Sequence, residues 1–245
     1  MKKQQVINNI NPLVLKGIAH RGLWNEELTE NGIPAFQNAI DHNVAFELDI
    51  HLTKDNQLLV CHDSELYRTT GKKGIIEDLT LAEIKENYRL HDGSSLPTLE
   101  EVLVLTSERV PIIIELKAYQ RNHKRLASRF LECLPLIKDK KNFMLISFDP
   151  RALLPLKKSG IMRSLLVVRD GKHDIIYAFR HFFESVDLDQ RFFTKKNVQR
   201  YSKKHFVNCW TIETEEQAKA LAPYVDTITF QKVSHDTIAS VLEHR

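Results

Sequence analysis

The connection Leu52-Thr53-Lys54-Asp55-Asn56 sets the tightest limit on how this chain can fold. It joins two apolar runs of strand length, residues 44–51 and 57–62. A crossover between parallel strands takes a dozen residues or more, so these two strands, if paired, must pair antiparallel. Seven further strand-length runs lie at 16–20, 110–117, 142–147, 163–168, 185–189, 205–211 and 226–230. Helical apolar spacing fills most of the gaps, at 34–41, 99–106, 123–134, 151–158, 175–183, 195–203 and 215–221. Setting the second hairpin strand aside leaves eight strands in β-α alternation, the number that closes a TIM (β/α)8 barrel. Residues 52–97, including the loop Thr69-Thr70-Gly71-Lys72-Lys73-Gly74, then form a small insertion after the second strand, over one barrel face. An open doubly wound sheet is the alternative, because periodicity does not report closure.

Helix starts are marked locally. Thr98 with Glu101 and Thr214 with Gln217 have capping-box spacing, and Thr80 with Glu83 predicts a short helix inside the insertion. No internal repeat or low-complexity linker divides the 245 residues, which read as one domain. A net charge of +3 without a long basic block gives no ground for a nucleic-acid partner. Cys61, Cys133 and Cys209 are odd in number and form no CxxC, so they read as buried thiols in a reducing compartment. The N-terminus lacks the apolar core of a signal peptide, and no run approaches the ~20 apolar residues of a membrane span. A cytoplasmic location is expected.

The chemistry gathers at strand ends. In VAFELDIHLT, Phe46, Leu48 and Ile50 alternate with Glu47, Asp49 and His51, so both carboxylates share one side of the strand. On a surface sheet that alternation would mean only one wet face. In a β/α protein both faces are covered, and inward carboxylates are costly unless a cation meets them. Glu115 ends the run Val110-Pro111-Ile112-Ile113-Ile114 and shares a side with Lys117. Three converging carboxylates, with no cysteine and no paired histidine spacing, suit one hard divalent cation such as Mg²⁺ or Ca²⁺. Arg21 and Lys117 supply positive charge for an anionic substrate. His20 and His62, each at a strand end, read as a general base and a general acid. A thiol pairing of Cys61 with His62 is rejected, because adjacent strand residues face opposite ways.

These segments together resemble a known family. HRG at 20–22, Glu30-Asn31, ELD at 47–49, HD at 62–63, RTT at 68–70, PTLEEVL at 97–103, IELK at 114–117, SF at 147–148 and Trp210-Thr211 follow the order found in the glycerophosphodiester phosphodiesterases. The resemblance implies a TIM barrel with an insertion after the second strand. It implies a divalent metal at Glu47, Asp49 and Glu115, His20 and His62 as the acid–base pair, and Arg21 and Lys117 on the phosphate. Trp210 either packs against the substrate's glycerol moiety or is a core residue. The implied reaction is hydrolysis of a small-molecule glycerophosphodiester to glycerol 3-phosphate and an alcohol. A lysophospholipase D-like hydrolase and a catalytically silent phosphodiester-binding module are the other readings. Two departures alter the rim: Thr29-Glu30-Asn31-Gly32 replaces the family's P-E-N-T or P-E-N-S, and Thr229 is followed by Phe230-Gln231-Lys232 instead of T-D. Leaving-group preference is the property they bear on.

Overall fold

The computed structural model describes residues 2–171, 174–194 and 196–244. Among the described residues nine strands form: β1 (Ile18–Ala19), β2 (Ala45–Leu52), β3 (Leu58–Val60), β4 (Ile112–Leu116), β5 (Phe143–Ser147), β6 (Met162–Val167), β7 (Ser185–Asp189), β8 (Val207–Ile212) and β9 (Thr227–Phe230). Their order is β1-β9-β8-β7-β6-β5-β4-β2-β3, and a further parallel pairing of β1 with β2 closes the ring. All eight neighbouring pairs within that ring are parallel, which makes it a TIM barrel. The strand outside the ring, β3, runs antiparallel to the end of β2, with Leu52 opposite Leu58 and Ile50 opposite Val60. The five-residue connection allowed no other pairing.

Strand alternation sorts the apolar residues into two cores. Phe46, Leu48, Ile50, Ile112 and Ile114 pack outward with Phe36, Val102 and Leu126 from the surrounding helices. Ala45, Ile113, Met144, Ile146, Met162 and Leu166 form an inner cluster with Val6, Ile10, Val14 and Phe206. The last group shows why the N-terminal segment is ordered: helix Lys3–Ile7, the 3-10 turn Pro12–Lys16 and the link between them place Val6, Val14 and Ile10 in the inner cluster. A third cluster, including Leu59, Leu66, Ile76, Ile84, Tyr88 and Leu96, belongs to the insertion and gives it a small core of its own.

All three expected capping boxes are present, at Thr80, Thr98 and Thr214. Three helical stretches differ from expectation. Residues 151–158 split into helix Pro150–Leu153 and 3-10 turn Pro155–Ser159, because Pro155 has no N–H to donate. Asp174–Phe182 winds as 3-10 helix, and helix Lys196–Ser202 starts just past residue 195, which lies outside the described residues. Helix His235–Glu243 and the N-terminal turns had no counterpart in the sequence reading. No helix among the described residues is long and apolar enough to cross a membrane. All three cysteines are free and buried.

Phe46 is fully buried on β2 and stacks on Phe36 with ring centroids 4.7 Å apart. Phe46→Ala is expected to cost about 3–5 kcal/mol of unfolding free energy, measured by urea titration. A loss below about 1 kcal/mol would mean that the interface between β2 and its helix is not the tight packing described.

Candidate active site

The parallel register of β2 and β4 sets Asp49 opposite Glu115 and Glu47 opposite Ile113. Inward facing then brings an oxygen of each of Glu47, Asp49 and Glu115 within 4.8 Å of the other two. All three residues are buried, Asp49 completely. Burial, then repulsion from neighbouring carboxylates, raises Glu47 well above the usual range. Burial also raises Glu115, to about 7, with Lys117 opposing and Asp49 adding to the rise. Asp49 goes the other way. Burial works against its charge, but Lys117, His62 and Arg21, together with the Asn31 hydrogen bond, hold it ionised.

The cations that meet this trio come from adjacent strand ends. Lys117 follows β4 directly, and its Nζ lies 2.8 Å from Glu115 Oε1 and 3.2 Å from Asp49 Oδ1. Burial disfavours the ammonium, but Asp49 and then Glu115 raise its pKa above the ordinary lysine value. Arg21 follows β1: its main-chain N–H donates to Glu47 Oε2 at 3.0 Å, and its Nε lies 3.6 Å from Asp49 Oδ2. Arg21 adopts φ 60° and Gly22 φ 87°, so the chain folds back at once and Gly22 N–H reaches the Glu47 carbonyl at 3.1 Å. A Cβ on Gly22 would lie only 3.1 Å from Ala35 Cβ.

The residues fit a hard divalent cation. The donor set is three carboxylates, and the buried Oε1 of Glu47 has no hydrogen-bond partner. Two neighbouring cations do not hold all three carboxylates ionised, as the raised Glu47 and Glu115 show. A buried oxygen without a donor beside two more carboxylates is the environment such an ion completes.

Each histidine is oriented through Nδ1. His20 Nδ1 lies 2.7 Å from Gln231 Oε1, and the amide is fixed the right way round because Gln231 Nε2 donates to Glu213 at 2.5 Å. Gln231 therefore accepts, His20 Nδ1 carries the proton, and Nε2 keeps a free lone pair. Burial, then the Arg21 charge, lowers the His20 pKa to about 4, so the ring is neutral near pH 7. His62 Nδ1 lies 2.6 Å from Asp63 Oδ1. Its pKa is also lowered, first by burial, while Asp49 and the Asp63 hydrogen bond favour its proton.

His20, Arg21, Glu47, His62, Glu115 and Lys117 line one cavity of ≈160 Å³, walled by Phe148 and Trp210. Trp210 meets Phe148 edge-on at 5.5 Å, and its Nε1 donates to the Asp187 carbonyl at 3.1 Å. All eight residues expected in the site thus converge: seven line this cavity, with Asp49 beneath. Asn31 and Gln231 act there without having been assigned a role. Asn31 Nδ2 donates to Asp49 Oδ2 at 2.9 Å and its Oδ1 accepts from Asp49 N–H at 3.3 Å. Asn31 was visible as part of the Glu30-Asn31 motif, whereas Gln231 appeared only as a departure at the rim. Cys61 is buried with its thiol pushed up to about 12, in keeping with its rejection as a nucleophile.

Residues 20–233 match the model of the Glycerophosphoryl diester phosphodiesterase family. A glycerophosphodiester phosphodiesterase of Bacillus altitudinis is 38% identical over 109 residues, covering 42% of this chain and 44% of that protein. A human lysophospholipase D is 46% identical over 70 residues, covering 28% of this chain and 22% of that protein. The chain thus matches less than half the length of either relative. Among solved structures, a phosphodiesterase of Oleispira antarctica, in complex with the product sn-glycerol-3-phosphate, superposes with a TM-score of 0.81 at 22% identity, covering 97% of this chain and 99% of that one. At that identity the likeness bears on the fold. The family match over most of the chain carries the assignment: this protein belongs to the glycerophosphoryl diester phosphodiesterase family.

Proposed function

We propose that the protein hydrolyses small glycerophosphodiesters to glycerol 3-phosphate and an alcohol. The observation that carries this reading is one cavity lined by Glu47 and Glu115, with Asp49 buried against both, by two cationic side chains and by two histidines anchored through Nδ1. Arg21 and Lys117 hold the phosphate. His20 Nε2 accepts the proton of the substrate's vicinal glycerol hydroxyl as that oxygen attacks phosphorus. His62 Nε2 gives its proton to the departing alcohol, leaving a cyclic phosphate. Water then opens the ring with the roles reversed: His62 takes the water proton and His20 returns one to the glycerol oxygen. Glu47, Asp49 and Glu115 would hold the divalent cation, Mg²⁺ or Ca²⁺, whose charge polarises the phosphoryl oxygens and favours ionisation of a nearby hydroxyl. The test is turnover of glycerophosphocholine with Mg²⁺ or Ca²⁺ added after chelation, read as glycerol 3-phosphate. Binding without turnover would instead indicate a silent phosphodiester-binding module.

A second reading has its own observation. A groove of ≈690 Å³ shares Glu115, Lys117 and Phe148 with the cavity and continues past Leu154, Ile176 and Phe179. Ile175 and Phe182, on the same 3-10 segment as Phe179, are 72% and 62% exposed. An apolar exit of this kind suits a substrate with an acyl chain, as in a lysophospholipase D. Comparing kcat/KM for glycerophosphocholine and lysophosphatidylcholine separates the readings; a preference for the lysophospholipid that Phe179→Ser removes would favour the second.

Two predictions concern the metal trio. Glu115→Gln should weaken Mg²⁺ or Ca²⁺ binding at least about tenfold without unfolding the domain, since a buried carboxylate ligand is lost but its volume is kept. Because Glu115 is raised to about 7 and Glu47 is raised too, binding a cation must displace protons at acid pH. Affinity should therefore climb as pH rises toward about 7, with proton release detected by calorimetry in buffers of different ionisation enthalpy. A pH-independent affinity between 5 and 8 would contradict the arrangement.

The histidines give a third. Each proton transfer contributes roughly 10²–10⁴-fold, so His20→Ala and His62→Ala should each lose about 3–5 kcal/mol of barrier lowering. An aryl leaving group needs little protonation and should rescue His62→Ala more than His20→Ala. A diester lacking the vicinal hydroxyl should bind but turn over poorly; equal turnover would replace the intramolecular attack with direct attack by water.

A further inference from the structure

Arg68 lies in the insertion, on the short helix Tyr67–Thr70, and the reaction steps above make no use of it. Its guanidinium nevertheless touches both sides of the site. Nε donates to Asp63 Oδ2 at 2.5 Å, and Nη2 donates to Glu30 Oε1 at 2.7 Å. Asp63 receives His62 Nδ1 on its other oxygen at 2.6 Å. Glu30 Oε1 also receives Arg21 Nη1 at 2.8 Å. The result is an unbroken chain, His62–Asp63–Arg68–Glu30–Arg21, from the leaving-group side of the cavity to its phosphate side. Arg68 itself is pinned from behind, because its carbonyl accepts from His91 Nε2 at 2.8 Å.

Stability does not explain this arrangement. The Arg68 side chain is 47% exposed and that of Asp63 31%, and ion pairs so open to solvent contribute little to folding. Geometry does explain it. A carboxylate beside a histidine fixes the ring only if the carboxylate is itself fixed, and the guanidinium fork offers two donors in a rigid plane. A lysine at this position would present a point charge and could not hold both carboxylates at these angles.

We infer that Arg68 is a positioning residue: braced on its other side by Glu30, it holds Asp63 so that His62 Nε2 faces the departing oxygen. The inference rests on the reading of His62 as the acid of the first step. Arg68 touches no reacting atom and is not a catalytic residue.

The test compares Arg68→Met, Arg68→Lys and His62→Ala on two substrates with the Mg²⁺-loaded enzyme, glycerophosphocholine and a glycerophosphodiester with a p-nitrophenyl leaving group. Arg68→Met should lower kcat on glycerophosphocholine about 10–100-fold, as loss of an outer-shell partner typically does, but change it less than about threefold on the aryl substrate. Arg68→Lys should recover part of that loss. In the Asp63→Asn background Arg68→Met should add less than about threefold, since the two act through one chain. Mg²⁺ affinity and melting temperature should stay near wild type, which a general structural defect would not allow. Equal losses on both substrates, or no loss while His62→Ala remains crippled, would overturn the role of Arg68 and leave the proposed chemistry standing. A fully active His62→Ala would instead remove the proposed acid, and this inference with it.

Discussion

The site depends first on the register between β2 and β4. Because Asp49 stands opposite Glu115, two carboxylates from different strands are neighbours by backbone pairing, and Glu47 joins them one alternation earlier. Ionised carboxylates brought this close and buried repel one another and lose their hydration, at a cost no packing recovers. The surrounding choices follow from that cost. Lys117 comes one residue after β4, Arg21 two residues after β1, and Asn31 turns both its amide groups onto Asp49. A one-residue slip of β2 would turn Glu47 and Asp49 away from Glu115, which stays on β4, and point Leu48 and Ile50 inward in their place.

The same economy of position separates the two histidines. Both spend Nδ1 on an acceptor and leave Nε2 for chemistry, but the acceptors differ in charge. Burial and then the Arg21 charge work against a second proton on His20, and the Gln231 hydrogen bond only partly opposes them. A carboxylate helps His62 hold its proton. Burial lowers the pKa of both rings, but only His62 has a carboxylate on Nδ1 to oppose that shift.

Much of this was legible in the sequence because it is carried by short-range patterns. Alternation placed Glu47 with Asp49, a five-residue link fixed the antiparallel hairpin, and Thr80, Thr98 and Thr214 announced their helices three residues ahead of their partners. What escaped is long-range or hidden by composition. Gln231 supports His20 across 211 positions of sequence, and a glutamine past an apolar strand carries no local sign of that. Closure of the ring rests on two residue pairs, Ile18 with Ala45 and Ala19 with Phe46, which no periodicity reports. Gly17, at φ 109° and with a would-be Cβ 2.7 Å from Ile238, cuts β1 to two residues in what reads as a longer apolar run. Val6, Ile10 and Val14 stand four apart, but Pro12 breaks the segment into two short turns, and each is buried among the inner core.

The insertion explains where polar contacts concentrate. His20, Arg21, the carboxylate trio and Lys117 sit on, or within two residues of, strands closed into the barrel, so backbone pairing alone fixes where they start. His62 does not have that support. It follows β3, which pairs with β2 over only three positions and lies outside the ring. Its aim must be set by contacts of other kinds, and these cluster around it. Cys61 N–H donates to the Asp49 carbonyl at 3.0 Å, and His51 Nε2 donates to the His62 carbonyl at 3.1 Å while its Nδ1 pairs with Glu77 at 2.7 Å. Asp63 then orients the ring, with its own orientation held from the insertion's helix. The bond between His51 and Glu77 ties the insertion back to β2 at the next inward position after Asp49. A group placed by strand pairing tolerates a sparse surround. A group delivered by an excursion needs its neighbours to supply the precision the barrel does not.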